Sequence, residues 1–396
     1  MRVLHVTSEY PPVLHGGLGR HVDELTRAQV AIGHEVHVIA PADDVVDGAR
    51  PAAPTQERCH GVAVCRVRAA TTTRGGDLVA AVTGTQQRMA QVAKTLPDVD
   101  VVHAHDWMTA EAARAIASAR RVPFVLTLHA TELGRRSGRL DDPLHRAVHA
   151  AERAAVGCAD RVVVCSTAMR EEAMAHGARP SAVHVVPGGV DVNRWQVDPT
   201  TAATARRRWA AGAPHLVVGA GRLEWEKGFS TLLRALPTLL AARPGTRVVL
   251  AGRGSYEPVL VDLARELAVA DRLVRPGRLG SSDLAALFAA ADAVVVPSRY
   301  EPFGLAALEA QAAGAPVVVA RTGGLAGLVE DGVTGRVIEP GDVDRLAEVL
   351  AELLGDLPLR QRLGAAARAS ATARQWHSVA ATLLEVYALP PAGAAS

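Results

Sequence analysis

Short runs rich in β-branched residues recur along this chain, separated by longer alanine- and leucine-rich stretches with apolar residues at helical spacing. That alternation permits few folds, because strands separated by helices pair in parallel and the helices then cover the sheet. In the first half the strand candidates are Arg2–Thr7, Glu35–Ala40, Val62–Val67, Val101–His105, Phe124–His129, Arg161–Cys165 and Val183–Val186. The turn-rich segment Pro187-Gly188-Gly189-Val190-Asp191 closes this series, and a polar stretch follows to about Ala213. A second series begins with His215–Ala220, Arg247–Ala251, Arg272–Val274, Ala293–Pro297, Pro316–Ala320 and Arg336–Ile338, with helical runs such as Leu232–Ala241 and Leu284–Ala291 between strands. The fold class is therefore α/β, with two similar domains in tandem. The expected domains are 1–190 and 191–374, and a last helix, 375–390, is expected to pack back on the first domain. The tail Pro390–Ser396 has the composition of a frayed end.

A chain of 396 residues exceeds what one core usually covers, which agrees with two domains. Its formal net charge of +2 removes the broad basic footprint of a nucleic-acid binder and leaves room for a compact anionic ligand. Cys59, Cys65, Cys158 and Cys165 lack metal-ligand spacing and read as reduced packing residues. The opening run Val3-Leu4-His5-Val6 is too short for a signal peptide, and no stretch approaches the ~20 apolar residues of a membrane helix. A cytoplasmic location is expected, with peripheral membrane contact left open.

Four segments carry residues suited to chemistry. In Glu301-Pro302-Phe303-Gly304-Leu305-Ala306-Ala307-Leu308-Glu309, directly after a strand, an early proline and a following apolar run mark a helix start. Such a start offers backbone N–H groups to an anion, and Gly304 has no side chain to block a phosphate. Glu301 and Glu309 would lie about 12 Å apart if both followed the helix axis, so one could hold sugar hydroxyls and the other a ribose. In Gly221-Arg222-Leu223-Glu224-Trp225-Glu226-Lys227-Gly228, Arg222 and Lys227 would present a fork and a point charge to a pyrophosphate. The glycine turn His15-Gly16-Gly17-Leu18-Gly19-Arg20 can close on a phosphate. Finally, His103-Ala104-His105-Asp106-Trp107 and Thr127-Leu128-His129-Ala130-Thr131-Glu132 load two adjacent strand ends with polar groups. Arg135, Arg136 and Arg139 beyond them read as a solvated loop, or more sharply as a contact for an anionic acceptor.

These segments together resemble the retaining GT-B glycosyltransferases of the glycogen-synthase-like family, glycosyltransferase family 4. EPFGLAALE is similar to the family's E-x-F-G-x-x-x-x-E, GRLEWEKG to its G-R-L-x-x-x-K-G, and HAHDW with the following T-x-H to those of glycogen synthase. The combination looks most like actinobacterial α-glucan glucosyltransferases. The resemblance implies two Rossmann-like domains facing a central cleft, the first on the acceptor side and the second holding a nucleotide-sugar donor. It implies catalytic roles for Arg222, Lys227, Glu301, His129 and Asp106, and donor contacts from Gly16, Gly17, Arg222, Lys227, Phe303, Gly304, Leu305 and Glu309. Carried over, Glu301 and His129 touch the transferred sugar, Glu309 the ribose, and Asp106 the reacting face. No cofactor beyond the nucleotide sugar is implied, and no metal, since two protein cations can neutralise a departing diphosphate.

The expected activity is transfer of a hexose, glucose from ADP- or UDP-glucose, to an α-glucan or related saccharide hydroxyl with retention. The alternative within the family is a GDP-mannose- or UDP-GlcNAc-dependent transferase acting on a glycolipid or small polyol; a non-enzymatic sugar-nucleotide sensor is the alternative outside it. This sequence departs from the family pattern at His15, where ADP-glucose users carry lysine, at Gly188, usually asparagine, and at Pro276, often aromatic. A dehydrogenase is disfavoured because Gly219-Ala220-Gly221 lacks the third glycine of a dinucleotide fingerprint.

Overall fold

The structure, a computed structural model, describes residues 1–12, 14, 16–42, 54–70 and 78–389. These form two compact units, Met1–Gly188 together with the chain from Trp376 onward, and Gly189–Gln375. The first unit holds β1 (Arg2–Val6), β2 (Glu35–Pro41), β3 (Thr55–Cys59), β4 (Val62–Val67), β5 (Val101–His105), β6 (Phe124–Leu128), β7 (Arg161–Val164) and β8 (Val183–Val185), in the order β3-β4-β2-β1-β5-β6-β7-β8. All neighbours are parallel except β3 with β4. The second unit holds β9 (His215–Ala220), β10 (Thr246–Ala251), β11 (Leu273–Gly277), β12 (Ala293–Val296), β13 (Val317–Ala320) and β14 (Arg336–Ile338), all parallel, in the order β11-β10-β9-β12-β13-β14.

The strand that the sequence pattern does not announce is β3. Its five residues, TQERC, are exposed at four positions, and an antiparallel edge strand needs no continuous apolar run. By contrast β12 and β13 are buried along their whole length, as parallel strands covered on both faces must be. The covering helices supply matching stripes. In Phe229–Ala242 the residues Leu232, Leu233, Leu236 and Leu239 recur at three- and four-residue steps and are all fully buried. Each contributes about 1.5–3 kcal/mol relative to exposure. Of the four cysteines, all free, Cys65 and Cys165 are buried as expected, whereas Cys158 is exposed at the end of its helix.

The first unit covers one sheet face in a different way. His5 on β1 sits in register with His103 on β5, and His105 lies two residues on, so strand alternation puts all three on one face. They are fully buried. Helix Gly17–Ala31 brings Gln29 to them and the final helix, Trp376–Ala388, brings Tyr387. Gln29 Nε2 donates to the Tyr387 hydroxyl (3.3 Å), and that hydroxyl lies 2.7 Å from His103 Nδ1. The last helix is thus held in the first unit by a buried polar joint, with Val379, Ala380 and Leu383 buried alongside. The tail Pro390–Ser396 lies outside the described residues.

Tyr387→Phe keeps the ring and deletes the hydroxyl that serves both Gln29 and His103. Stranding two buried polar atoms lowers stability by roughly 1–3 kcal/mol. A fall of that size in the unfolding free energy from urea titration, with near-parental circular dichroism, is the expected outcome.

Candidate active site

In an open parallel sheet, ligands gather beyond the carboxyl ends of the strands where the order reverses. In the second unit that place lies between β9 and β12, and the loops leaving these two strands carry Arg222, Lys227 and Glu301. Lys227 Nζ donates to Glu301 Oε2 at 2.9 Å, and Ser298 Oγ donates to the same oxygen at 3.1 Å. Both charged side chains are largely buried, at 17% and 12% exposure, so the pair is a fixed feature. Arg222 Nη2 donates to Glu226 Oε1 at 2.9 Å, but the guanidinium is 41% exposed and that surface pair is weak enough to exchange for a ligand.

Glycines let the loops meet. Gly228 has φ +68, and a Cβ there would lie 1.9 Å from the Pro297 carbonyl oxygen. Only a glycine lets the Lys227 loop lie on the end of β12. Across the contact, the backbone N–H groups of Arg299 and Tyr300 donate to the Glu226 carbonyl (2.8 and 3.3 Å), and Gly324 N–H to the Glu301 carbonyl (2.9 Å).

The helix after Glu301 starts at Leu305, not at Pro302. Glu301 therefore stands in the preceding loop and only Glu309 is helical, so the expected 12 Å separation along one helix axis does not apply. Gly304 is the N-cap at φ +108, and a Cβ there would meet Leu325 Cδ2 at 2.5 Å. Its lack of a side chain is thus required by backbone conformation and packing, beyond any need to admit a phosphate. This N-cap glycine supplies no side-chain cap, which leaves the first-turn amides for an anion. Phe303 packs against the core, Leu305 is half-buried, and Glu309 is buried at 6%.

The first unit reverses its strand order between β1 and β5. Beyond β1, Gly16 is the N-cap of the helix that starts at Gly17, and its N–H donates to Glu9 Oε2 at 3.0 Å. His15 lies outside the described residues. Beyond β5, Asp106 adopts φ 60 and ψ 173, a conformation that costs a non-glycine residue about 1–3 kcal/mol. Its carboxylate accepts the His129 N–H at 2.7 Å, and its own N–H donates to the Thr127 carbonyl. At 4% exposure Asp106 acts as a brace for the His129 loop. Burial is the main reason its pKa is raised to about 6, opposed by the Arg135 charge and the amides of His129 and Ala130.

His129 closes a ladder of imidazoles. His105 Nδ1 is 3.0 Å from His129 Nε2, His105 Nε2 is 3.0 Å from His5 Nδ1, and His5 Nε2 is 2.8 Å from Gln29 Oε1. Burial lowers the pKa of His129 to about 3, with help from Arg135, and that of His5 to about 4; His105 is also held well below its usual range. Each ring is then neutral at pH 7 and carries one proton. Because Gln29 Oε1 only accepts, the proton sits on Nε2 of His5, then of His105, then of His129. The His129 nitrogen left for a ligand is Nδ1, as an acceptor. His21, unmarked in the sequence, packs edge-on against His129 and Trp376.

Thus Lys227, Glu301 and the Gly304–Leu305 helix start come together in the second unit with Arg222 nearby, and Asp106 joins His129 in the first. Sequence reasoning passes over Ser298, Glu226, Glu9 and His21. Glu226 stands inside a quoted motif without a role assigned to it and Ser298 lies just before another, while Glu9 and His21 carry no local signal.

Residues 15–194 match Glycosyltransferase Family 4, and residues 203–370 match Glycosyl transferases group 1. A glycogen synthase of Mycobacterium tuberculosis is 38% identical over 409 residues, covering 98% of this chain and 94% of the relative. The chain belongs to the family 4 glycosyltransferases. A D-inositol 3-phosphate glycosyltransferase of Xylanimonas cellulosilytica is 34% identical to this transferase, over 94% of the chain and 91% of the relative. Sucrose-phosphate synthase from Thermosynechococcus elongatus superposes on the transferase with a TM-score of 0.83 at 22% identity, covering 98% of each chain. Its likeness places the transferase in the GT-B fold class.

The raised Asp106 pKa has a signed consequence. Below about pH 4 the carboxyl is protonated in folded and unfolded chains alike and has no effect. Between about pH 4 and 6 the unfolded carboxyl ionises while the folded one does not, so its contribution to stability falls and stays low above 6. Asp106→Asn removes this titration, and its stability relative to the parent should improve by roughly 2 kcal/mol from about pH 4.5 to pH 7. Urea midpoints of both proteins at the two pH values check this, since the histidine contributions are common to both and cancel.

Proposed function

We propose that this glycosyltransferase moves a hexose, glucose from ADP- or UDP-glucose, to a hydroxyl of an α-glucan or related saccharide, with retention at the anomeric carbon. The observation that carries the reading is the Lys227–Glu301–Ser298 cluster beside an uncapped helix start at the β9/β12 reversal. An ammonium, a guanidinium and helix amides are the groups that stabilise a departing diphosphate. The 38% identity to a glycogen synthase supports the choice of glucose and glucan.

In this reading Lys227 and Arg222 meet the pyrophosphate, with the amides of Leu305 and its neighbours on another oxygen. Glu301 orients Lys227 and turns its second oxygen to the sugar, while Glu309 takes the ribose. Gly16 and Gly17 pass their backbone close to the phosphates. His129 Nδ1 accepts from a sugar hydroxyl, and Asp106 holds His129 in place. The acceptor oxygen attacks from the face that the diphosphate leaves, and the departing phosphate oxygen takes its proton. Rate enhancement then comes from positioning and from fixed positive charge, and no metal is needed for the transfer.

A second reading, an anionic acceptor such as a polyol phosphate, draws on Arg135, whose charge acts on both Asp106 and His129. The inositol phosphate transferase relative supports it. Mass spectrometry of products from a panel of nucleotide sugars with malto-oligosaccharide, glycolipid and polyol-phosphate acceptors separates the two, and NMR of the product's anomeric proton tests retention.

Lys227→Ala should lower turnover by about 10²–10³-fold, the scale seen when one charge-stabilising donor is lost. Release of nucleoside diphosphate by the folded variant measures it, and near-parental turnover would overturn the assignment. A parallel assay in excess chelator should retain most of the parental rate.

A further inference from the structure

A second cluster in the first unit has no part in the proposed transfer. Helix Pro143–Cys158 carries His149 and Glu152 three residues apart, hence on one face, and His176 ends the helix Thr167–Ala175. Ligand-type atoms of these three side chains all lie within 4.8 Å of one another. Glu152 and His176 are 1% and 2% exposed, and His149 is half-buried.

The hydrogen bonds show what the cluster lacks. His176 Nδ1 lies 2.8 Å from the Glu172 carbonyl oxygen, which can only accept, so Nδ1 carries the proton. When the ring is neutral, Nε2 presents a lone pair, and it faces Glu152 Oε2 at 3.5 Å. Burial opposes a charge on this ring, but Glu152 and Glu172 outweigh it and raise its pKa, so a proton and a metal ion compete for the same Nε2 position. His149 Nδ1 is buried without a hydrogen-bond partner. Two imidazoles and a carboxylate thus converge, with a proton on His176 as the competitor of a metal ion. An imidazole fixed through Nδ1–H to a backbone carbonyl is also the usual outer-shell arrangement of a metal-bound histidine.

We propose that His149, Glu152 and His176 form a binding site for a transition-metal cation of the zinc class. Two imidazoles and a carboxylate suit Zn²⁺ or Co²⁺ and not Mg²⁺ or Ca²⁺, which take all-oxygen sites. Bonds near 2.05 Å place tetrahedral ligands about 3.3 Å apart, so the half-buried His149 ring needs to close by roughly 1.5 Å. The site leaves one position for water. It would tie the two helices together and act on the loop after β6, because both Glu152 oxygens accept the Glu132 N–H (2.9 and 3.1 Å) and Glu172 accepts from Thr131 Oγ1 (2.5 Å). The other trio with matching spacing, His5, His103 and His105, is a poorer candidate, since its ring nitrogens are already joined to Gln29, Tyr387, Thr127, His129 and each other.

The test uses the full chain without a histidine tag, stripped with chelator and titrated with CoCl₂ and then ZnCl₂. One equivalent of Co²⁺ should give visible d–d bands, Zn²⁺ should bleach them, and the melting temperature should rise with either metal. His149→Ala, at a half-exposed position, should weaken binding at least about tenfold while the circular dichroism of the metal-free protein is unchanged. His176→Gln, which keeps a polar side chain near Glu152, should do the same. Absence of saturable binding would overturn the proposal and leave a proton as the occupant. So would binding that survives in both variants, which would direct attention to the β1/β5 histidines.

Discussion

The ion pair between Lys227 and Glu301 joins residues 74 positions apart in sequence, and most of the second unit's architecture is a condition for it. The two loops meet because β9 and β12 are neighbours at the point where the strand order reverses. They meet closely because Gly228 lies on the Pro297 carbonyl and Gly324 N–H bonds to the Glu301 carbonyl. A largely buried pair of this kind gains little net stability, because desolvation offsets the attraction. Its value is positional: the ammonium is kept at one place beside the helix start, with Ser298 as a second anchor on the carboxylate.

The first unit solves a different problem. A parallel strand pair usually buries aliphatic side chains, yet β1 and β5 turn three imidazoles to the same covered face. Each ring must find a partner for both nitrogens, and the joint works because Gln29, Thr127 and Tyr387 arrive with complementary groups. A fully satisfied buried network of this kind is rigid, and rigidity here fixes a tautomer at a distance. Gln29 sits three hydrogen bonds from His129, and its carbonyl oxygen decides which nitrogen of His129 carries the proton. The strained backbone of Asp106 fits the same picture, since it lets one carboxylate reach the amide that positions His129.

Much of this could be read from the sequence, and the omissions have physical causes. Buried parallel strands such as AVVV and VVVA announce themselves, whereas TQERC does not, because an edge strand is specified by its partner. Motif spacing located Glu301 and Lys227 but not their contact, and it misjudged the helix start by reading Pro302 as its first turn. A glycine with φ above 100° is needed before that helix, and sequence does not show where the left-handed residue falls. The imidazole ladder could not be read at all: His5, His103 and His105 look like separate residues until strand order and register place them on one face. Glu9 and His21 act only through contacts that the fold creates.

The roles proposed for the two units differ in charge. In the proposed reaction the groups of the second unit that meet the diphosphate are cationic or N–H donors, while its carboxylates, Glu301 and Glu309, serve the sugar and the ribose. In the first, burial keeps His129 neutral to about pH 3, so at pH 7 it carries no proton beyond the one on Nε2, which His105 accepts. His129 is then a poor acid, and with so low a pKa it is also a poor base; its Nδ1 can accept a hydrogen bond and do little more. Asp106 is committed to the His129 amide, which leaves neither of these two residues suited to remove a proton. In the proposed reaction the base must therefore arrive with the donor, and the oxygen of the departing phosphate, held by Lys227 and the helix amides, is the group that fits. Fixed cations stabilise that oxygen in proportion to the charge it gathers, so a preorganised group such as Lys227, held by Glu301, favours the transition state over the bound donor without having to move.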